Sequence, residues 1–286
     1  MRLSIITVNL NNKAGLERTL QSVFAQTNQD FESIVVDGLS SDGSRDVITA
    51  HAARITKWVS EKDSGVYNAM NKGIRMAEGE YVLFLNAGDS LYSPETLDGA
   101  FRRGFSEDFI FFDAQLVKRD GSEIWALNRS PQEVLVLGYI AHQAVFHRRS
   151  VVQHLGLYSE EHKLAADYEL FLRAFFTAGC SYQVIHQILC VYDNVHGMSS
   201  DVRNAALLRG ERRKAQKAVF HPAVVDALEH QHETIEGLVD FKDKYEGLMA
   251  SNTVRIALGA SALLRRVRRL AGRRTPVSGS GTAPRS

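Results

Sequence analysis

The segment Leu3–Val8, LSIITV, constrains the fold more than any other feature: it is a continuous, β-branched run with no charged position. Such a run reads as a strand buried on both faces, and strands of that kind belong to parallel sheets covered by helices on either side. Asn9–Asn12 breaks it. Leu16, Leu20, Val23 and Phe24 then recur at helical spacing, which predicts an amphipathic helix over 13–27. Phe31–Val36 is a second strand, closed by the turn-rich DGLSSDGS. Asp42 or Ser44 can cap the helix that follows, which runs to about Ala53. Thr56–Val59 is a short strand, and Tyr67–Ala77 a helix with Met70, Ile74 and Ala77 on one face. Glu80–Leu85, EYVLFL, is a third strong strand. Strand and helix alternate through this whole stretch, the pattern of an α/β fold with right-handed crossovers.

The middle of the chain is less regular. Asp108–Phe112, Ala114–Lys118, Ala144–His147 and Tyr182–Leu189 read as strands, Asp120-Gly121 as a turn and Asp167–Thr177 as a helix. From Val202 to about Met249 the chain is rich in helix formers, with a break at His221-Pro222. With 286 residues, 44% apolar and 23% charged, it has room for a full core and is neither disordered, collagen-like nor a coiled-coil rod. The densest apolar stretch, Val134–Ala141, falls far short of the roughly 18 residues that cross a membrane. The N-terminus lacks the long apolar core of a signal peptide. Cys180 and Cys190 are too few for a disulfide framework and read as buried thiols of a reduced, cytoplasmic protein.

In an open parallel sheet, ligands bind beyond the carboxyl ends of the strands. Three strands here end in polar clusters: Thr7-Val8-Asn9, Asp37, and Asn86-Ala87-Gly88-Asp89. No Walker lysine or GxGxxG loop accompanies them, so a phosphate cradle of backbone amides is not expected. Carboxylates repel a diphosphate unless a divalent cation lies between them, and an Asp at a strand end suits a hard cation that bridges to phosphates. Asp37 can instead accept an N–H from a uracil-like base. Each of these Asp residues can equally be a cap or turn former.

Four segments, SIITVN, IVVDGLSSDGS, EKDSGVYNAMNKGI and AEGEYVLFLNAGD, resemble in order and spacing the successive motifs of family 2 glycosyltransferases with the GT-A fold. The resemblance is close over 2–97 and looser to about residue 200; it is nearest to bacterial enzymes that extend surface polysaccharides, lipopolysaccharides and glycolipids. It implies a mostly parallel central sheet with helices on both faces, in a catalytic domain over 1–200. Residues 1–97 would form the nucleotide-sugar half and 98–200 the acceptor half. A helical extension (201–250), a basic amphipathic helix (251–274) and a disordered tail (275–286) complete the expected organisation.

The resemblance also implies roles. Thr7 and Asn9 line the nucleotide pocket, and Asp37 reads the base. Asp63 and Gly65 lie in the loop that closes over the nucleoside, with Asn71 in the helix behind it. Asp89 matches the last carboxylate of the motif that holds Mg or Mn against the donor diphosphate. That motif here begins with Asn86, so a single carboxylate remains, and substrate phosphates and waters fill the other positions.

Displacement at an anomeric carbon needs a base for the acceptor's proton. The resemblance places it at Asp167, with Ala166 where the usual Glu stands. Asp167 also heads an apolar helix and can be its cap; Glu169 is the second choice. His142 and Gln143 match a pair on the acceptor side, and His196 is a candidate to reach the metal and diphosphate.

Eight arginines and no acid fall in 251–286, which leaves 26 bases against 33 acids in 1–250. On a helical wheel, Ile256, Ala260, Leu263, Leu264, Val267, Leu270 and Ala271 cover an arc of about 120°, with arginines opposite. That is the pattern of a helix lying on an anionic membrane; packing on the acidic body or on a second subunit fits the same pattern. No aromatics interleave with the arginines, so nucleic acid is not expected. The expectation is an inverting, metal-assisted hexosyltransferase at the inner face of the cell membrane. It moves a sugar, UDP-linked, to a hydroxyl of a membrane-associated glycan or lipid-linked acceptor. The rivals are a catalytically inactive nucleotide-sugar binder or scaffold, and a sugar-nucleotide pyrophosphorylase, whose Gly/Arg-rich phosphate loop is missing from NLNNKAG.

Overall fold

In the computed structural model, β1 (Leu3–Asn9) is buried along its whole length. It lies between β2 (Phe31–Asp37) and β4 (Tyr81–Phe84), parallel to both, and β3 (Lys57–Ser60) extends the parallel order beyond β2. The structure describes residues 2–118, 121–137, 140–193, 197 and 201–228. The helices α1 (Lys13–Phe24), α2 (Ser44–Ala50) and α3 (Val66–Met76) follow β1, β2 and β3 in turn.

Both faces of β1 are apolar because each meets helices. Leu3 and Ile5 pack with Leu16 and Leu20 of α1, Ile48 of α2 and Leu97 of α4 (Thr96–Arg102). Ile6 and Val8, pointing the other way with the two-residue period of a strand, pack with Tyr67, Met70 and Ile74 of α3. Each fully buried Leu or Ile contributes about 1.5–3 kcal/mol. A glycine inside a helix costs about 1 kcal/mol in propensity. Gly73 stands in α3 because a Cβ there would meet Ile6 Cγ2 at 2.4 Å, so only glycine lets the helix lie this close to β1.

The second half of the sheet is mixed. β8 (Val145–Arg148) runs antiparallel to β4 and to β6 (Phe109–Lys118), and β9 (Tyr182–Asp193) runs parallel to β6. β5 (Ser90–Leu91) closes the order β3-β2-β1-β4-β8-β6-β9-β5, and β7 (Gly121–Trp125) forms a hairpin on β6. Around this half stand α5 (Pro131–Leu137), α6 (Arg149–His154), α7 (Ala166–Leu172) and α8 (Ala205–Val219). Phe109 and Phe111 of β6 pack against Phe171 and Phe175 in a third cluster.

Several boundaries differ from those expected. α1 ends at Phe24 because the Thr27 amide turns away to bond the Pro94 carbonyl at 2.8 Å. The two strands expected around Asp113 are one, β6, whose register against β9 slips at that residue; the Asp113 carboxylate meets His186 Nδ1 at 3.2 Å. The single helix expected over Asp167–Thr177 is α7 followed by a π-helical turn, Arg173–Ala178.

The chain divides into two compact units, Met1–Val225 and Asp226–Ser286. α8 belongs to the first. The basic amphipathic segment, the tail 275–286, His196 and Asp120 lie outside the described residues. Among the described residues, no helix is long and apolar enough to cross a membrane.

Candidate active site

The parallel register of β1 and β2 sets Asn9 directly beside Asp37. Asn9 Nδ2 donates to Asp37 Oδ1 at 2.8 Å, and the same oxygen accepts the Ser40 hydroxyl at 2.5 Å. Asp37 Oδ2 accepts the Ser40 amide at 3.0 Å and the Ser60 hydroxyl at 2.7 Å. A carboxylate has about four acceptor sites, so the protein itself fills them. Burial pushes the Asp37 pKa up, but the bonds from Ser40, Ser60 and Asn9 hold it below the ordinary value. Two loops are laced together above: the Asn11 amide donates to Ser40 Oγ at 2.8 Å, the Ser41 amide to Asn11 Oδ1 at 2.8 Å, and the Lys13 amide to Asp42 Oδ2 at 2.7 Å. Thr7, two register pairs inward, is fully buried; Thr7 Oγ1 and Asn9 Oδ1 have no hydrogen-bond partner.

Asp63 pairs with Lys72 Nζ at 2.6 Å, and that ammonium also meets Glu61 at 2.7 Å, which ties the loop after β3 to α3. Gly65 enters α3 at φ +153°, a backbone that other residues seldom adopt. Asn71, on the buried face of α3, grips a distant loop: Nδ2 donates to Tyr158 O at 2.9 Å and Glu160 Oε1 at 3.0 Å, and Oδ1 accepts the Tyr158 amide at 3.0 Å. Asn68 adds a bond to Glu160 Oε2 at 2.9 Å.

The turn after β4 is held from α1. The buried Thr19 hydroxyl donates to Asp89 O at 2.6 Å and accepts the Gly88 amide at 3.0 Å. Asn12, the N-cap of α1, donates to Ala87 O at 2.7 Å. Asp89 Oδ2 accepts the Asn86 amide at 3.2 Å, and Asn86 Oδ1 is buried with no hydrogen-bond partner. Among the described residues no three His, Cys, Asp or Glu side chains gather into a metal cage. Mg²⁺ is satisfied by one or two carboxylates with phosphates and water. One carboxylate and one orphaned amide oxygen at the carboxyl end of β4 fit that demand.

β8 runs antiparallel to β4, so the turn His142–Ala144 that precedes it lies alongside the carboxyl end of β4. From this turn His142 Nδ1 meets Asp167 Oδ2 at 3.0 Å. Asp167 Oδ1 accepts the Tyr67 hydroxyl at 3.0 Å and the Tyr168 amide at 2.9 Å. Burial pushes the Asp167 pKa up; the bond and charge of His142, then the bonds from Tyr168 and Tyr67, bring it below the ordinary carboxylate value. The carboxylate is therefore ionised at neutral pH. Burial, followed by the charge of Asp167, raises the Tyr67 pKa well above its usual value, so this phenol stays a donor. His142 Nε2 is buried with no hydrogen-bond partner, and Gln143 is buried beside it. His147 sits among Phe84, Phe109 and Phe171, and burial lowers its pKa to about 3. It is a neutral core residue.

Glu169 is engaged elsewhere, with Arg173 Nε on Oε1 at 2.5 Å and Nη2 on Oε2 at 2.8 Å. Tyr67, Glu160 and Thr19 were not singled out from sequence. Tyr67 had a signal, because it lies inside VYNAMNKG at the first turn of a helix; Thr19 and Glu160 had none.

Residues 4–169 match the model of glycosyl transferase family 2. The chain belongs to this family. A PGL/p-HBAD biosynthesis glycosyltransferase of Mycobacterium bovis is 31% identical over 212 residues, 72% of this chain and 82% of that protein. An uncharacterised glycosyltransferase of Nostoc is 40% identical over 100 residues, 34% of this chain and 31% of that protein. The protein is thus a glycosyltransferase. Its fold is similar to that of TarS from S. aureus in complex with UDP-GlcNAc, with TM-score 0.61 at 18% identity over 81% of this chain and 71% of that one. A mannosyltransferase of Pyrobaculum calidifontis in complex with GDP-Man and Mn²⁺ gives 0.52 at 14% identity over 95% and 88%. These likenesses establish the GT-A fold of the glycosyltransferase.

Proposed function

We propose that this glycosyltransferase moves a sugar from a UDP-sugar to a hydroxyl of a membrane-associated glycan or lipid-linked acceptor, with inversion at the anomeric carbon. The observation that carries the reading is the Asp167 carboxylate, ionised and aimed by three donors. Asp167 takes the proton of the acceptor hydroxyl as that oxygen bonds the anomeric carbon. The bond from that carbon to the diphosphate oxygen breaks, and the pair leaves with the diphosphate. One displacement at one face inverts the configuration. Asp89 and Asn86 Oδ1 would hold a divalent cation, which supplies positive charge to the departing diphosphate.

Base recognition at Asp37 requires one of its present donors to yield. The Ser60 hydroxyl is a rotor, and turning it away opens an acceptor site for a uracil N3–H. The complex of a structurally similar protein with UDP-GlcNAc supports the UDP assignment. The acceptor class rests on the relative named for PGL/p-HBAD biosynthesis and on the arginines of 251–274. Each basic residue near an anionic bilayer contributes roughly 1 kcal/mol.

The test is turnover of UDP-GlcNAc, read as UDP release, in parent and Asp167→Asn protein, beside calorimetric UDP binding. Loss of turnover with UDP affinity retained is expected; UDP binding with no turnover of UDP-GlcNAc, UDP-glucose or UDP-galactose in the parent favours the binder reading. Sedimentation with phosphatidylglycerol vesicles tests the membrane arm. Replacing Arg265, Arg266, Arg268 and Arg269 with Ser should release the protein from them.

A further inference from the structure

α8 lies beyond the stretch matched by the family, yet it reaches the start of the helix that carries Asp167. Glu211 Oε1 accepts the Lys163 amide at 2.7 Å, and Oε2 accepts the Leu164 and Ala165 amides at 2.8 and 3.0 Å. Glu211 is 9% exposed. Ala165, the N-cap residue of α7, has no side chain that can cap. Amides entering a helix lack intrahelical partners and are usually answered by a local Ser, Thr, Asp or Asn. Here a carboxylate from another helix answers the amide of the N-cap residue, Ala165, and those of the two residues before it. Asp167 is not the N-cap residue, but its Oδ1 accepts the Tyr168 amide, one of the free amides of the first turn, so it answers an N–H of its own helix while its Oδ2 faces His142.

The same helix grips the chain on the other side of Asp167. Gln216 Nε2 donates to the Tyr168 hydroxyl at 2.9 Å, and the Arg212 guanidinium stands 5.5 Å from the Tyr168 ring centroid. That hydroxyl in turn donates to Leu135 O at 2.9 Å. Asp167 therefore lies between two held stretches, 163–165 and 168, and α8 holds both.

We infer that Glu211 is a positioning residue for the catalytic base: by fixing where the chain turns into α7, it sets the aim of the Asp167 carboxylate at His142 and at the acceptor. The inference rests on the reading of Asp167 as the base. It adds that a segment outside the family's common core controls the chemical step. Glu211→Gln keeps the size of the side chain. It leaves one acceptor oxygen and turns an NH₂ toward an N–H, so the three amides are no longer all answered. A misplacement of about 1 Å at a reacting group can cost on the order of 10²-fold in rate.

The experiment compares full-length parent, Glu211→Gln, Glu211→Asp and, as a control at an exposed position of α8, Lys217→Ala. Three quantities are read: UDP affinity by calorimetry with Mn²⁺, kcat and KM for UDP release from UDP-GlcNAc, and the ¹⁵N resonance of His142 Nδ1, which reports its bond to Asp167. In Glu211→Gln, kcat should fall roughly 10- to 100-fold with KM and UDP affinity unchanged, and the His142 resonance should move. Glu211→Asp should recover part of both, and Lys217→Ala should match the parent. A folded Glu211→Gln protein with parental kcat and an unmoved resonance overturns the inference, even if its melting temperature drops. If the parent does not turn over UDP-GlcNAc, GlcNAc is not the sugar it takes, and the resonance alone decides the role of Glu211. If Glu211→Gln fails to fold, Glu211→Asp is judged by the same criteria.

Discussion

His142 Nδ1 and Asp167 Oδ2 stand 3.0 Å apart, although 25 positions separate the two residues in the chain. The contact links the turn before β8 to the start of α7 and is the largest influence that lowers the Asp167 pKa against burial. His142→Ala removes it. Burial is then opposed only by Tyr168 and Tyr67, so the Asp167 pKa should rise. The acid limb of kcat/KM should shift to higher pH, with less loss of rate well above that limb. An unshifted limb would show that His142 does not tune this carboxylate.

Asp167→Asn should lower turnover by about 10²–10⁴-fold, the usual contribution of general acid–base catalysis, and leave UDP affinity intact. Glu169→Gln should instead act on stability, because it weakens the two bonds to Arg173. Arg173 also anchors the Leu157 carbonyl at 2.8 Å, so thermal melting is the measurement that separates the two carboxylates. A larger rate loss in Glu169→Gln than in Asp167→Asn would transfer the base to Glu169.

Asp37→Ala should destabilise the fold as well as weaken nucleotide binding. It removes the acceptor of the Ser40 amide and of the Ser40 and Ser60 hydroxyls and one of the two acceptors of Asn9 Nδ2, and a buried group left unpaired costs about 1–3 kcal/mol. The pKa of Asp37 is depressed on folding, so its stabilisation is present above the ordinary carboxylate range, about pH 4, and is lost as pH falls through the lowered value. Denaturant unfolding at pH 7 and pH 3 should show a smaller pH dependence in Asp37→Asn than in the parent. Equal slopes would mean that this carboxylate does not couple to folding.

The edge of the sheet was legible because a strand's chemistry is local. LSIITVN and IVVD each show a buried run ending in a polar residue, and parallel pairing then sets Asn9 beside Asp37. The turn Asn86–Asp89 was legible for the same reason. The far wall was not. His142 meets Asp167 only because β8 returns antiparallel to β4, and nothing in HQAVFHRR specifies that neighbour. Base and cap are both readable for Asp167 from its place at a helix start, but the hold of Glu211 on the amides of 163–165 is not, because no window around 167 contains that residue. β5, two residues long, is too short for any period to register.

The cation site proposed at Asn86 and Asp89 makes the last prediction. Asp89→Ala removes the turn's carboxylate, so Mn²⁺ affinity measured with UDP present should fall and turnover should drop as EDTA lowers it in the parent. Thr19→Val keeps the side-chain shape but loses the bonds to Asp89 O and Gly88 N, and should weaken Mn²⁺ binding by a smaller factor. Asn86→Asp is the opposite case. Asn86 Oδ1 is already a buried oxygen with no hydrogen-bond partner, and a negative charge there is costly unless a cation answers it. In EDTA this variant should melt below the parent. A ligand that binds only the folded state raises stability with its concentration, so added Mn²⁺ should raise the melting temperature of Asn86→Asp more than that of the parent. If Asp89→Ala and Asn86→Asp both bind Mn²⁺ and UDP as the parent does, the cation is held elsewhere or turnover does not need one.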